Sequence, residues 1–462
     1  MGKKNGKVII LGAGISGLST AFWLDRAGYD TLVLEANGQP GGSVQTKMEK
    51  GFLIDYGPNS SLETSPVIKE LIDDVGLSNQ MIYASEAAKN RYILKGDQLH
   101  PLPTNPVQFL KSDLFSVRAK LRLLQEPFIK ASSDGYHQSI ATFVKRRLGQ
   151  QFLDYAIDPF VSGVFAGDPE KLSVHSAFPK LYQLEEKYGS LIKGMIKGAK
   201  ERKSRGEASK HSAKMFSFID GMATLPNALA EKLKSQILYQ CQVNKITSTP
   251  EGYQVYFQDK GKDTSILGGT VISTVPSYIA QSIFKEIDNQ LTAHLSQIYY
   301  PPVLVLYLGY KKSDVFALDG FGFLIPGKEK RKFLGAIWNS TLFPARAGED
   351  AVSFTLFIGG ARNASILKGQ DHNVLIKEVI KEFQQIMKIN ADPVYTSSKF
   401  WPNAIPQYNI GYQQHEEYFI EFEKKYPDLY LSGNYRGGIA FADCIKNAKL
   451  LADKIIGGEQ RV

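Results

Sequence analysis

The sequence predicts an α/β fold. A dinucleotide-binding parallel sheet is assembled from both ends of the chain, with a mixed-sheet second domain and a helical insertion between them. Three observations predict it. Val8–Leu11 is a short apolar run that enters Gly12-x-Gly14-x-x-Gly17 and then a helical pattern. Leu429–Leu431 enters a second glycine-rich turn and a second helix. Between them, residues 301–308, 322–325, 333–338 and 352–358 recur as apolar runs at even spacing, with partial alternation.

In the first unit each glycine has a physical task. Gly12 permits the tight turn, Gly14 lets backbone N–H groups approach a pyrophosphate, and Gly17 lets the helix lie close to the strand. A second apolar run at 31–34 ends on Glu35, whose carboxylate can accept hydrogen bonds from a ribose. An ordinary strand–helix turn would leave the glycine spacing unexplained.

Just beyond lies the pair Gly41-Gly42, followed by Ser43, and then the turn Gly57-Pro58-Asn59-Ser60. A second close backbone approach suits a cofactor longer than a bare nicotinamide dinucleotide. Residues 92–94 and 99–102 flank Lys95-Gly96-Asp97 as a hairpin. Helical patterns then cover 107–110, 114–124, 140–148, 152–160, 179–187 and 191–196. Strands are expected at 215–218, 237–243, 254–257 and 271–275, returning to the parallel sheet, and a helix over 371–387 covers the second domain. The domain boundaries expected from this pattern are 1–90, 206–285 and 401–462 for the dinucleotide-binding parts. Residues 91–205 form the insertion and 286–400 the second sheet.

Composition excludes several classes. Across 462 residues, 43% hydrophobic and 22% charged content is that of a globular protein, and no apolar run approaches the length of a spanning helix. Val8–Leu11 is too short for an export signal, and Gly6 stands where myristoylation needs Ser or Thr. Cys241 and Cys444 offer neither a disulfide framework nor metal spacing, and the seven histidines show no paired-ligand motif, so no metal site is expected. The net charge of +9 is concentrated at 187–214, with nine Lys or Arg against two Glu. That run reads as an anionic-membrane or acidic-partner surface, or as a solvated helix face. Its single aromatic, Tyr188, argues against nucleic acid.

The N-terminal blocks resemble those of the FAD-containing amine oxidase and desaturase superfamily, in which an Arg or Lys usually stands at the place of Ser43. The block Asp158-Pro-Phe-Val-Ser-Gly-Val-Phe-Ala-Gly-Asp168, with Ser176-Ala-Phe-Pro, Trp401…Ile405-Pro-Gln-Tyr408 and Gly433-Asn-Tyr-x-Gly-Gly, is similar to the protoporphyrinogen/coproporphyrinogen oxidase family from end to end. The resemblance implies an oxygen-dependent FAD enzyme that takes six electrons from a porphyrinogen in three steps. Flavin N5 would do the chemistry, with no catalytic acid or base from the chain. It implies protoporphyrinogen IX first and coproporphyrinogen III as the alternative; an amine oxidase, a carotenoid desaturase and a non-catalytic escort protein are more distant readings. Arg91 would pair with a propionate, Gly163 would face the tetrapyrrole, and Leu324, Ile337 and Phe357 would form apolar walls. Gly12, Gly14, Gly17, Glu35, Gly42, Ser43, Gly57, Val243, Trp401, Gly438 and Ile439 would surround FAD. A cytoplasmic protein is expected, peripheral on the inner face of the cell membrane, with ferrochelatase and a second copy of the chain as candidate partners.

Overall fold

The structure, a computed structural model, describes residues 6–134, 137–204, 213–233, 236–369 and 371–458. The chain opens with β1 (Val8–Leu11), α1 (Ile15–Arg26) and β2 (Thr31–Leu34), followed by the hairpin β3 (Asn90–Lys95) and β4 (Gln98–Pro101). A helical stretch includes α2 (Pro106–Lys111), α3 (Val117–Leu124), α4 (Ile140–Arg147), α5 (Asp158–Phe165) and α6 (Leu191–Ser204). Next come β5 (Ile237–Leu238), β6 (Cys241–Thr249), β7 (Thr270–Ser273), α7 (Asn289–Ser296), β8 (Val303–Lys311), β9 (Gly320–Leu324), β10 (Phe333–Trp338) and β11 (Ala351–Gly359). The chain closes with α8 (His372–Met387), β12 (Tyr395–Trp401), α9 (Tyr412–Lys425), β13 (Leu429–Leu431) and α10 (Phe441–Gly458).

The parallel sheet has the order β5-β2-β1-β7-β13. Its central strands β1 and β7 are buried on both faces, as parallel strands require, and α1 and α10 share one of its cores. First and last strands therefore stand two places apart, on either side of β7. Their carboxyl ends open at the point where strand order reverses, the usual place for a ligand crevice.

A single strand over 237–243 was the expectation, and the chain instead turns there. Gln240 takes a positive φ of 58°, its N–H donates to the Asn37 carbonyl at 3.1 Å, and the Cys241 N–H donates to the Glu35 carbonyl at 2.8 Å. β5 stays in the parallel sheet while β6 leaves for a separate three-stranded antiparallel sheet. Met215–Phe218 does not return to the parallel sheet either; it pairs with Ser61–Leu62 and Met81–Tyr83.

The second sheet has seven strands in the order β12-β8-β11-β10-β9-β3-β4. All neighbours are antiparallel except β3 and β9. The hairpin placed in the insertion by the sequence pattern thus belongs to this sheet, and β12 joins it as an edge strand. One face of the sheet, with Leu304, Leu306, Phe354 and Leu356, buries against α8. The other face is turned to the helical insertion and to the dinucleotide-binding part.

Inside the insertion Arg147 is fully buried between Glu126 and Glu185. Glu126 also accepts from the N–H groups of Leu191 and Ile192 at the start of α6. Two separate helical segments are thereby tied to α4. Residues 205–212 of the basic segment lie outside the described residues. Among the described residues no helix is long and apolar enough to cross a membrane, and no group of His, Cys, Asp and Glu could hold a metal ion.

Candidate functional site

At the N-terminus of α1 the N-cap is Gly14, which has no side chain to satisfy the first-turn N–H groups. A Cβ added to Gly14 would meet nothing within 4 Å, so the space above these amides is open. Gly17 is the opposite case: its added Cβ would stand 2.0 Å from the Gly12 carbonyl oxygen. Spacing alone cannot separate these two roles. Gly17 holds the helix against the strand, while Gly14 keeps an anion cradle clear.

Glu35 is buried at the tip of β2. One carboxylate oxygen accepts the Ala13 N–H at 2.7 Å, and the other accepts the backbone and side-chain N–H groups of Asn37 at 2.8 and 2.7 Å. The carboxylate is thus oriented from both sides and retains lone pairs for a ribose. Val243 lies half-buried on β6, two residues beyond the Cys241 contact to Glu35. Gly41 donates to the Ala13 carbonyl at 2.8 Å, and a Cβ on Gly42 would be 3.5 Å from Gly14 Cα. Gly57 packs on the Ser43 carbonyl, 2.0 Å from its added Cβ, and the exposed Ser43 hydroxyl makes no hydrogen bond among the described residues.

The C-terminal turn closes on the same place. The Thr274 hydroxyl donates to the Leu11 carbonyl at 2.7 Å, and the Ser432 N–H donates to the Ser273 carbonyl at 2.8 Å. The Gly438 N–H donates to the Tyr408 hydroxyl at 3.0 Å, which in turn donates to the Asn434 carbonyl at 2.7 Å. Burial pushes the Tyr408 phenol well above its ordinary range, so it stays a neutral clamp on the turn that carries Gly438 and Ile439. The two glycine turns are therefore contiguous. An open helix N-terminus, an oriented buried carboxylate and a string of bare backbone fit a long dinucleotide such as FAD.

Strand register places the other candidates together. Arg91, Gly322, Ile337, Thr355, Tyr307 and Ser397 form one row across the second sheet. Ile93, Leu324, Gly335, Phe357, Val305 and Lys399 form the next row on the same face, because side chains alternate with period two. Trp401, two residues past Lys399, shares that face. Leu324, Ile337 and Phe357 are half-buried, whereas the neighbours that point toward α8 are buried. α5 crosses above them, and a Cβ on Gly163 would meet Leu324 Cδ2 at 2.6 Å.

Arg91 is exposed at one end of the strip, its guanidinium 5.5 Å from the centre of the Phe321 ring. No described carboxylate lies within ion-pair distance of it. At the other end the Trp401 indole N–H donates to the Tyr56 carbonyl at 3.0 Å, and the Tyr56 and Ser397 hydroxyls bond at 2.6 Å. The sheet face is thereby fastened beside the Gly57 turn.

Three further groups escaped the sequence reading. Asp158 accepts from Arg362 at 2.7 Å and from the Gly327 N–H at 2.6 Å, clamping the start of α5 to the ends of the second sheet. Buried Arg346 reaches Asp55 at 3.4 Å and the Ser217 hydroxyl at 2.5 Å, joining the second sheet to the dinucleotide-binding part. Burial pushes the Asp55 carboxyl up and the Arg346 guanidinium down from their ordinary values, and each charge opposes the shift of the other. Lys399 is the third; its period-two relation to Trp401 was the available signal. Partners 129 and 291 residues distant, as Ser217 and Asp55 are from Arg346, leave no local pattern.

Comparison with known proteins agrees with this geometry. Residues 15–456 match the model of the flavin containing amine oxidoreductase family. The chloroplastic protoporphyrinogen oxidase of Oryza sativa subsp. japonica is 34% identical, over 97% of this chain and 87% of the relative. The coproporphyrinogen III oxidase of Bacillus subtilis (strain 168) is 28% identical, over 97% of each chain. The crystal structure of reduced UDP-galactopyranose mutase superposes with a TM-score of 0.75 at 17% identity, covering 98% of this chain and 96% of that one, and shares the fold.

Proposed function

The chain belongs to the flavin containing amine oxidoreductase family, among its protoporphyrinogen and coproporphyrinogen oxidases, and from that premise we propose how it works. It is an FAD-dependent oxidoreductase that converts a porphyrinogen to the porphyrin. Dioxygen is the proposed acceptor, with three O2 reduced to three H2O2 for six electrons removed. Protoporphyrinogen IX is the first candidate substrate, and coproporphyrinogen III the second.

The observation that carries the reading is the single sheet face holding Arg91, Leu324, Ile337, Phe357 and Trp401. An apolar strip with a cation at its rim suits a flat macrocycle that carries carboxylate arms. When bound, FAD supplies the hydride acceptor and the route to dioxygen. The chain's own residues bind and orient. Gly12, Gly14 and Gly17 with Glu35 hold the dinucleotide, Gly42, Ser43, Gly57, Val243, Gly438 and Ile439 line its length, and Trp401 fixes the sheet beside it. Arg91 pairs bidentately with a propionate. The Gly163 carbonyl faces the macrocycle, and Leu324, Ile337 and Phe357 pack on its face. Residues 1–90, 206–285 and 401–462 form the FAD-binding part. Residues 286–400, joined by β3 and β4, form the substrate part.

For the insertion the reading is peripheral docking on an anionic membrane. Val107, Leu110, Val117, Leu121 and Leu124 are more than half exposed and Phe128 is 85% exposed. Lys111, Arg118 and Lys120 are interleaved with them and Lys193 lies over the Phe128 ring, a pattern that suits an interfacial surface. Contact with ferrochelatase follows from the proposed pathway alone.

The test is anaerobic mixing of the FAD-loaded enzyme with each porphyrinogen while flavin absorbance is followed. Rapid bleaching by either supports the reading, and faster bleaching by protoporphyrinogen IX fixes the order. Bleaching by neither would overturn it.

A further inference from the structure

The strip carries a second cation that the propionate pairing of Arg91 does not use. Lys399 lies on the edge strand β12, directly opposite Val305 and in the row of Leu324 and Phe357. Its side chain is half-buried, and its ammonium stands 5.1 Å from the centre of the Trp401 ring. Among the described residues no carboxylate lies within ion-pair distance of it. Asp158 and Asp55, which flank the same face, are taken by Arg362 and Arg346. A half-buried ammonium whose visible partner is an aromatic ring is available to an anionic ligand.

Arg91 and Lys399 stand five strands apart, about 24 Å along the sheet at the usual spacing. Both are long side chains able to lean inward over the apolar strip between them. The face is therefore cationic at both ends and apolar in the middle.

We propose that Lys399 binds a second set of carboxylates on the substrate, at the edge of the macrocycle opposite the one held by Arg91. The inference rests on the porphyrinogen-oxidase reading and concerns its second candidate substrate, a porphyrinogen with carboxylate arms on both edges. Coproporphyrinogen III has four such arms. Protoporphyrinogen IX carries two, grouped on one edge, and presents neutral vinyl groups on the other. Lys399 then sets the preference between them, and its ammonium gains a carboxylate with the first and none with the second.

The experiment compares the FAD-loaded wild type with Lys399→Met and Lys399→Arg. Two quantities are read: kcat/KM for each porphyrinogen, and the affinity of each oxidised porphyrin by fluorescence titration. In Lys399→Met the ratio of coproporphyrinogen III to protoporphyrinogen IX kcat/KM falls about tenfold, through KM, and coproporphyrin III binding weakens in step. Lys399→Arg restores the ratio. An unchanged ratio in Lys399→Met overturns the proposal, as does an equal loss for both substrates, which would make Lys399 a support for Trp401. Bleaching of the wild type by neither porphyrinogen is a different failure, and falls on the underlying function instead.

Discussion

The Trp401 indole N–H donates to the Tyr56 carbonyl at 3.0 Å, across 345 residues of sequence. This bond joins the last residue of an edge strand in one sheet to the residue before the Gly57 turn of the other part. Gly57 in turn packs on the Ser43 carbonyl. The Gly57 turn and the sheet face are therefore set at a fixed distance by groups whose main alternative partner is water. Arg346 and Asp55 fasten the same two parts deeper in the interior.

Gly14 and Gly17 separate binding from folding. A side chain at Gly14 meets only open space, so Gly14→Val is expected to fold and to purify without FAD. Its thermal midpoint should match that of the wild-type apoprotein. A side chain at Gly17 strikes the Gly12 carbonyl, so Gly17→Ala is expected to lose about 3 kcal/mol of stability. Flavin-to-protein ratio and thermal unfolding measure both. A Gly14→Val protein carrying full flavin would refute the cradle.

Arg91→Ala removes an exposed guanidinium that lies over the Phe321 ring and makes no ion pair among the described residues. Stability and FAD content are expected to stay at wild-type values. The KM for a porphyrinogen rises about 10-fold to 100-fold, equivalent to about 1.4–2.8 kcal/mol, because the exposed position moderates a charged hydrogen bond. Steady-state kinetics with protoporphyrinogen IX decides it, and unchanged kinetics would remove Arg91 from the site.

Much of this was legible in the sequence, for reasons that differ between the parts. The first dinucleotide unit is local: strand, turn, helix and acid lie within residues 8–35, and each leaves its own periodic or steric mark. The sheet face was legible only as separate apolar runs, because Leu324, Ile337 and Phe357 look like core until register puts them on one side. The break at Gln240 was missed because a lone positive φ on a non-glycine residue has no compositional signature. The hairpin β3–β4 was read correctly as a hairpin and assigned to the wrong neighbours, since its pairing with β9 spans more than 200 residues. The Arg346–Asp55 pair is non-local in the same way.

Arg147 has no exposed surface and faces Glu126 and Glu185. Removing it leaves two carboxylates facing an apolar interior with one fewer cation; Arg146 still reaches Glu185 at 2.9 Å, and Glu126 keeps the α6 N–H groups. Arg147→Ala is expected to destabilise the chain by about 3–5 kcal/mol. Loss should appear first as proteolysis within the insertion, with the flavin spectrum preserved. Denaturant unfolding with limited proteolysis checks this, and a midpoint equal to wild type would show that the triad contributes nothing net.

His294 on α7 and His415 on α9 approach Nδ1 to Nδ1 at 2.9 Å, and the His294 ring stacks on Tyr418. One nitrogen must therefore donate and the other accept, which requires that at least one ring be neutral. Burial, with the neighbouring His294 second, lowers the His415 pKa to about 4. Burial lowers that of His294 also, against the opposing charges of Asp288 and Glu421. Unfolded, both rings titrate near the ordinary value of about 6.5. The unfolded chain thus binds more protons between these values, so stability is full above about pH 6.5 and falls as pH drops toward 4. The His415 contribution, discounted for a half-exposed ring, is about 1–2 kcal/mol. Thermal midpoints recorded across that window should fall less steeply in His415→Gln than in the wild type. Equal slopes would place the acid sensitivity elsewhere.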